Sequence, residues 1–207
     1  MKMLIYTTLL LLSFLSHAEN EYRIREITKL EISATINPAV YNYLKTNIGK
    51  LSASNGDFIL IQMNTPGGLV STTKEILTLI GNQNIPLAIW VGPEGASATS
   101  AGAIIASSAH LLFMSEGTNI GAATPIGLGK DIEQKDARSK AVNDLTALVT
   151  SLSKARGRNT EEFSKMISEA KSLDAQTALK EKVIDAIINN EQELIQFINN
   201  KKISIIY

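Results

Sequence analysis

Apolar and polar positions change period several times along this chain, and each change marks an element. From Lys29 to Ile36 they alternate, the period of a half-buried strand. Asn37-Pro38 follows as a helix start, Asn suiting the N-cap and Pro the first helical position. Asp57 to Met63 holds the compact apolar run FILIQM between Asn-Gly and Thr-Pro-Gly-Gly, a bracket that predicts a buried strand. Leu69, Thr73, Ile76, Leu77 and Ile80 then recur at helical spacing. Ile85 to Val91 reads as strand again, Ser100 to Ser108 as an Ala-rich, closely packed helix, and His110 to Met114 as strand. Strand and helix thus alternate through the first half, which predicts an α/β fold with a parallel sheet and right-handed crossovers.

The second half reads as mainly helical. Asn159-Thr160-Glu161-Glu162 is a helix start with acidic residues in the first turn, where the helix dipole favours them. Gly127 to Ser139 is polar and charged without apolar periodicity, the pattern of a mobile surface loop. At the N-terminus Lys2 precedes an apolar run from Met3 to Leu15, and Ser16-His17-Ala18 offers small residues for cleavage. A helix of that run would span about 20 Å, short of the roughly 30 Å hydrocarbon core. The expectation is a signal peptide over residues 1–18 and one exported domain over 19–207, periplasmic in a Gram-negative cell. Retention of the segment would instead leave the domain anchored to the membrane.

Composition narrows the functional classes. The chain has 44% hydrophobic and 19% charged residues, which suits a globular domain. Twenty basic residues balance twenty acidic ones, so no global field attracts nucleic acid. The absence of Cys excludes disulfides, thiolate metal sites and a cysteine nucleophile.

Two glycine-bearing turns follow the expected strands, at Thr65-Pro66-Gly67-Gly68 and from Gly95 to Gly102. In a parallel sheet, ligands bind beyond the carboxyl ends of the strands, where both turns belong. Glycines let backbone N–H groups approach a substrate closely. Ser100, at the start of a helix, would have oxyanion donors from its own turn and from the glycine turn. Its base is harder to find. His17 belongs to the expected signal segment, and His110 would be separated from Ser100 by a helix of about 15 Å. A partly buried histidine at a strand start accounts for His110. A Ser–Lys arrangement is the option left for a serine nucleophile, and the chemistry alone does not select among the lysines.

The run Asn64-Thr65-Pro66-Gly67-Gly68, then Gly95-Ala96-Ser97-Ala98-Thr99-Ser100-Ala101-Gly102, then Gly117-Thr118-Asn119-Ile120-Gly121-Ala122, resembles the NfeD-type, ClpP-class serine proteases. Signal peptide peptidase A is a more distant relative. The resemblance extends from about Lys29 to Ile195 and implies a ClpP/crotonase-like fold of strand–helix superhelical repeats. It implies Ser100, not Ser97, as nucleophile, and Lys140 as base, counted back from Gly157-Arg158-Asn159. It also implies Gly68 and Ala101 as the oxyanion hole. Burial against apolar neighbours is what favours the neutral form a lysine base needs.

On this reading Gly67, Leu69, Val70, Gly121 and Thr124 line the substrate, with Thr99 and Thr118 behind them. The substrate is an extended apolar peptide, from a membrane protein in the fullest version, aligned on Gly67 to Val70 by strand addition. Relatives self-assemble, so a homo-oligomer is expected, with no metal and no cofactor. Where relatives carry Asp before Thr-Pro-Gly-Gly, this chain has Asn64, which removes a charge beside the site. Two other readings share the fold: a crotonase-like acyl-CoA enzyme, opposed by the expected export, and a catalytically silent scaffold for a membrane partner.

Overall fold

The computed structural model describes residues 24–125 and 135–200. The expected signal segment and residues 127–134 of the expected loop lie outside these. In chain order the elements are β1 (Glu26–Ile32), α1 (Pro38–Ile48), β2 (Asp57–Met63), α2 (Val70–Gly81), β3 (Leu87–Val91), β4 (Ser97–Thr99), α3 (Ala101–Ala106), β5 (Leu111–Met114) and β6 (Asn119–Gly121). They continue with α4 (Lys135–Ala155), α5 (Thr160–Ser168), β7 (Ser172–Asp174), α6 (Ala175–Lys180), β8 (Ala186–Ile187) and α7 (Glu191–Asn200).

The main sheet has the order β1-β2-β3-β5-β8, and every neighbouring pair is parallel, as the alternation predicts. The run that forms β2 is continuously apolar because both of its faces are covered. Ile59, Ile61 and Met63 face the larger core, with Leu44, Ile76 and Ile105 from the helices. Phe58 and Leu60 face a second cluster, closed by Leu194 and Ile198 of α7. There Phe197 meets Phe113 edge-on at 5.1 Å between ring centroids, and the Trp90 indole donates to the Ile188 carbonyl at 2.9 Å.

Local chemistry explains several boundaries. The Asn37 side chain accepts from the N–H groups of Ala39 and Val40 and starts α1 ahead of Pro38. Asn159 caps α5 in the same way, accepting from Glu161 and Glu162. The first strand ends at Ile32, earlier than the alternation suggests, and Ile36 makes only a single bridge to Gly68. Lys135 to Ser139, expected in a loop, form the start of α4. Their apolar partners come later in that helix, at Leu145 and Val149, so the short window carries no periodicity of its own.

A second, three-stranded sheet, β4-β6-β7, was not expected from the sequence. Its strands have three residues each, too few for an alternating pattern to register. Gly121 ends one strand of this small sheet, and Ser100 follows directly on another, β4.

The Gly157-Arg158-Asn159 segment proves to be a structural lock. Arg158 is buried and donates to the Ala109 carbonyl at 2.7 Å and to the Asp185 carboxylate at 2.8 Å. Asp185 also accepts from the Leu112 N–H at 2.7 Å, so the α4–α5 turn is fixed to the start of β5.

Candidate active site

The backbone brings the two glycine-bearing turns together. Thr65 bridges Ala98 of β4, its N–H donating to Ser97 at 2.7 Å and its carbonyl accepting from Thr99 at 3.1 Å. The Thr65 hydroxyl, fully buried, donates to the Ala34 carbonyl at 2.7 Å and accepts from the Gly67 N–H at 3.2 Å. Thr65 thereby sets the course of the glycine turn. Gly67 has φ +106°, and a Cβ there would lie 2.5 Å from the Ser100 Cβ and 3.0 Å from its Oγ. Only glycine allows this approach between the turn and the serine.

Ser100 has φ 56° and ψ −116°, a conformation rare outside glycine. Such a backbone costs about 1–3 kcal/mol and persists only where its surroundings impose it. Here its N–H donates to the Gly121 carbonyl at 2.9 Å, and its carbonyl accepts from Ala103 at 3.0 Å. The side chain does not cap α3, and among the described residues its hydroxyl has no hydrogen-bond partner.

Ile36 donates to the Gly67 carbonyl at 2.8 Å, and Leu69 donates to the Ile36 carbonyl at 2.9 Å. Gly68 bridges Ile36 in parallel and follows directly on Gly67, which packs on Ser100. Ala101 is the first residue of α3, whose N–H has no partner within the helix. The geometry thus groups Ser100, Gly67, Gly68 and Ala101.

The other sequence-derived candidates take several positions. Leu69 and Val70 are 36% and 42% exposed, an apolar step beside Gly68. Val70 is already helical, and Leu69 before it is extended, with φ −71° and ψ 128°. Gly121, with φ +137°, packs so tightly on β7 that a Cβ would lie 2.2 Å from the Lys171 carbonyl oxygen. Its carbonyl holds Ser100, a supporting part the sequence did not reveal. The Thr124 hydroxyl donates to the Ile167 carbonyl at 2.7 Å, and Thr118 is buried, donating to Ser115 at 2.6 Å. Lys140 stands exposed on α4, and no hydrogen bond joins it to Ser100 among the described residues.

Asn64 accepts from the Ser97 N–H at 3.1 Å, an acceptor role that an Asp would fill equally. His110 lies at the amino-terminal edge of the main sheet, the far edge from Ser100, and its Nδ1 accepts from the Leu87 N–H at 3.2 Å. Burial, with Arg156 and Arg158 nearby, holds its pKa down to about 4. It is the partly buried strand-start histidine expected. Open grooves run along α2, between Leu77 and Leu148 and between Tyr41 and Leu79, away from Ser100. Ser100 itself is half-buried, between buried Gly67 and buried Ala101.

Known proteins share sequence and fold with this chain. The NfeD1b N-terminal domain model matches residues 26–206. A membrane-bound protease of Pyrococcus horikoshii is 34% identical over 176 residues, covering 84% of this chain and 40% of that protein. The membrane protein NfeD1b of Bacillus subtilis is 30% identical over 107 residues, covering 51% of this chain and 24% of that protein. The chain thus spans at most about two fifths of these relatives. Among solved structures, a serine-to-alanine mutant of a membrane-bound, stomatin-specific protease superposes with a TM-score of 0.77 at 32% identity. That match covers 89% of this chain and 88% of the other. ClpP1 of Listeria monocytogenes, at 20% identity, covers 80% of this chain and 94% of its own with a TM-score of 0.64, which shows the shared ClpP-like fold.

Proposed function

The chain belongs to the NfeD1b N-terminal domain family, and on that premise we propose that it is a serine peptidase using Ser100 as nucleophile and Lys140 as general base. The observation that carries the reading is the strained Ser100 turn packed against Gly67. In the first step the Ser100 oxygen bonds to the scissile carbonyl carbon while its proton passes to the Lys140 amine. The oxyanion that forms is held by the N–H groups of Gly68 and Ala101, donors aimed where charge develops. Collapse breaks the C–N bond, and Lys140 returns the proton to the departing amine. Water then attacks the acyl-serine ester, giving its proton to Lys140, and the carboxylic acid leaves as Ser100 is restored.

The substrate on this reading is an extended apolar peptide. Leu69 and Val70 supply apolar contact, and the N–H of Gly68 and the backbone beside it supply alignment. One solved relative is a lysine-to-alanine mutant of the stomatin-specific protease in complex with a substrate peptide, 33% identical over 84% of this chain. A membrane protein with an accessible apolar segment is the corresponding substrate class here. Export to the periplasm and self-association complete the proposal.

The exposed position of Lys140 favours one alternative, a silent scaffold of the same fold. A fluorophosphonate followed by peptide mass spectrometry separates the two. Modification of Ser100 in the wild type, lost in Ser100→Ala and slowed in Lys140→Ala, is the expected result. An unmodified wild type would favour the scaffold.

A further inference from the structure

One buried charge lies outside the machinery described so far. Glu162 of α5 is 5% exposed, and its carboxylate accepts from the Lys171 ammonium at 2.5 Å. Lys165 approaches the other oxygen at 3.5 Å. The Lys171 hydrogen bond holds the carboxyl below the usual glutamate range. Burying a carboxylate is costly unless it is paired, so this pair fixes where Lys171 stands relative to α5.

The backbone of Lys171 lies directly under the serine turn. Its carbonyl accepts from the Ala122 N–H at 2.8 Å, and it is the atom that a Cβ on Gly121 would strike. The Gly121 carbonyl in turn accepts the Ser100 N–H at 2.9 Å. Two further bonds stitch this segment to α5: Ala123 N–H to the Met166 carbonyl at 2.8 Å, and Thr124 Oγ1 to the Ile167 carbonyl at 2.7 Å. The Lys165 carbonyl accepts from the Lys171 N–H at 3.2 Å, a backbone bond that a side-chain change keeps, while its ammonium bonds mainly to exposed Glu161 at 2.6 Å.

We propose that the Glu162–Lys171 pair is a positioning clamp that holds Gly121, and through it the strained Ser100 backbone, in the reactive arrangement. The inference rests on the reading of Ser100 as nucleophile. The pair acts through the backbone beneath the serine turn. Their effect on chemistry passes through the Ser100 N–H···O=C Gly121 bond, so loosening the clamp changes the rate of serine acylation more than substrate affinity.

The test compares Glu162→Gln, Lys171→Met, Lys171→Arg and Lys165→Met in the full chain by two readouts. Hydrogen exchange in a peptide covering residues 97–102 reads the Ser100 N–H whether or not the chain hydrolyses anything. Fluorophosphonate modification reads reactivity. Glu162→Gln and Lys171→Met are expected to speed exchange and slow acylation, each about tenfold, with KM for a peptide substrate within about twofold. Lys171→Arg, which keeps the pair, and Lys165→Met, which spares the contact with Gly121, are expected to match the wild type. Unchanged protection in Glu162→Gln and Lys171→Met overturns the clamp. So does an equal loss in Lys165→Met, which would place the effect in the stability of α5. A wild type that resists acylation overturns the peptidase reading instead, while the exchange arm still decides whether the pair holds the turn.

Discussion

Gly68→Ala strikes the point where fold and proposed chemistry share an atom. A Cβ on Gly68 would stand 2.1 Å from the Ile36 carbonyl oxygen and 2.6 Å from its nitrogen. Both are backbone atoms, so no rotamer change relieves the overlap, and the segments must part by about 1 Å to restore ordinary contact. Parting them lengthens the Ile36 N–H to Gly67 and Leu69 N–H to Ile36 bonds. At about 1 kcal/mol each, with some overpacking, the loss of stability comes to about 2–3 kcal/mol. For a chain of this size that lowers Tm by about 4–12 °C. The same displacement moves the Gly68 N–H off the oxyanion. Loss of one such donor costs about 10²–10³ in kcat, and misplacement by 1 Å about 10². The assay is kcat and KM on an apolar fluorogenic peptide, with Tm from a thermal scan, beside Gly81→Ala as control. A Cβ at Gly81 meets nothing within 4 Å. The expected result is a kcat about 100-fold lower in Gly68→Ala with KM nearly constant, and an unaltered control. A Gly68→Ala protein with wild-type kcat and Tm would refute both the close approach and the donor role.

Three further outcomes follow from the structure. Arg158→Ala removes the donor to Ala109 and leaves Asp185 without its ion pair; a loss of about 3 kcal/mol in urea denaturation is expected, and less than about 1 kcal/mol would contradict the lock. The His110 imidazole titrates near 6.5 unfolded and about 4 folded, so the unfolded chain binds more protons between those values. Its contribution is complete above pH 6.5 and is lost as pH falls toward 4, reaching about 3 kcal/mol. Stability measured across that window should fall less steeply in His110→Gln, and an identical slope would contradict the burial argument. Asn64→Asp keeps an acceptor for the Ser97 N–H, so kcat/KM within about twofold of wild type is expected; a tenfold change would mean that the charge itself matters.

Much of the scaffold was legible because it is governed by local rules. The run from Asp57 to Met63 became β2 with the same bounds, since brackets of Gly and Pro stop a strand whatever lies around it. Asn37-Pro38 opened α1 because its cap is made within three residues. The small sheet was not legible: Ser97–Thr99, Asn119–Gly121 and Ser172–Asp174 pair across long separations and carry no pattern of their own. Ser100 and the glycine turn were found through motif and resemblance. Thr65 and the Gly121 carbonyl were missed because their work is done by hydrogen bonds whose partners lie 31 and 21 positions away. The mainly helical second half was correctly expected, yet Lys135 to Ser139 belong to α4 because its buried residues lie further along.

The central claim is that Ser100 and Lys140 work together in peptide hydrolysis on this ClpP-like fold. Its most direct measurement is cleavage of a panel of apolar fluorogenic peptides by the wild type, Ser100→Ala and Lys140→Ala, with folding checked by circular dichroism. The account predicts turnover by the wild type and at least about 10³-fold loss in each folded variant. Equal rates in all three proteins, or a wild type inert across the panel, would contradict it.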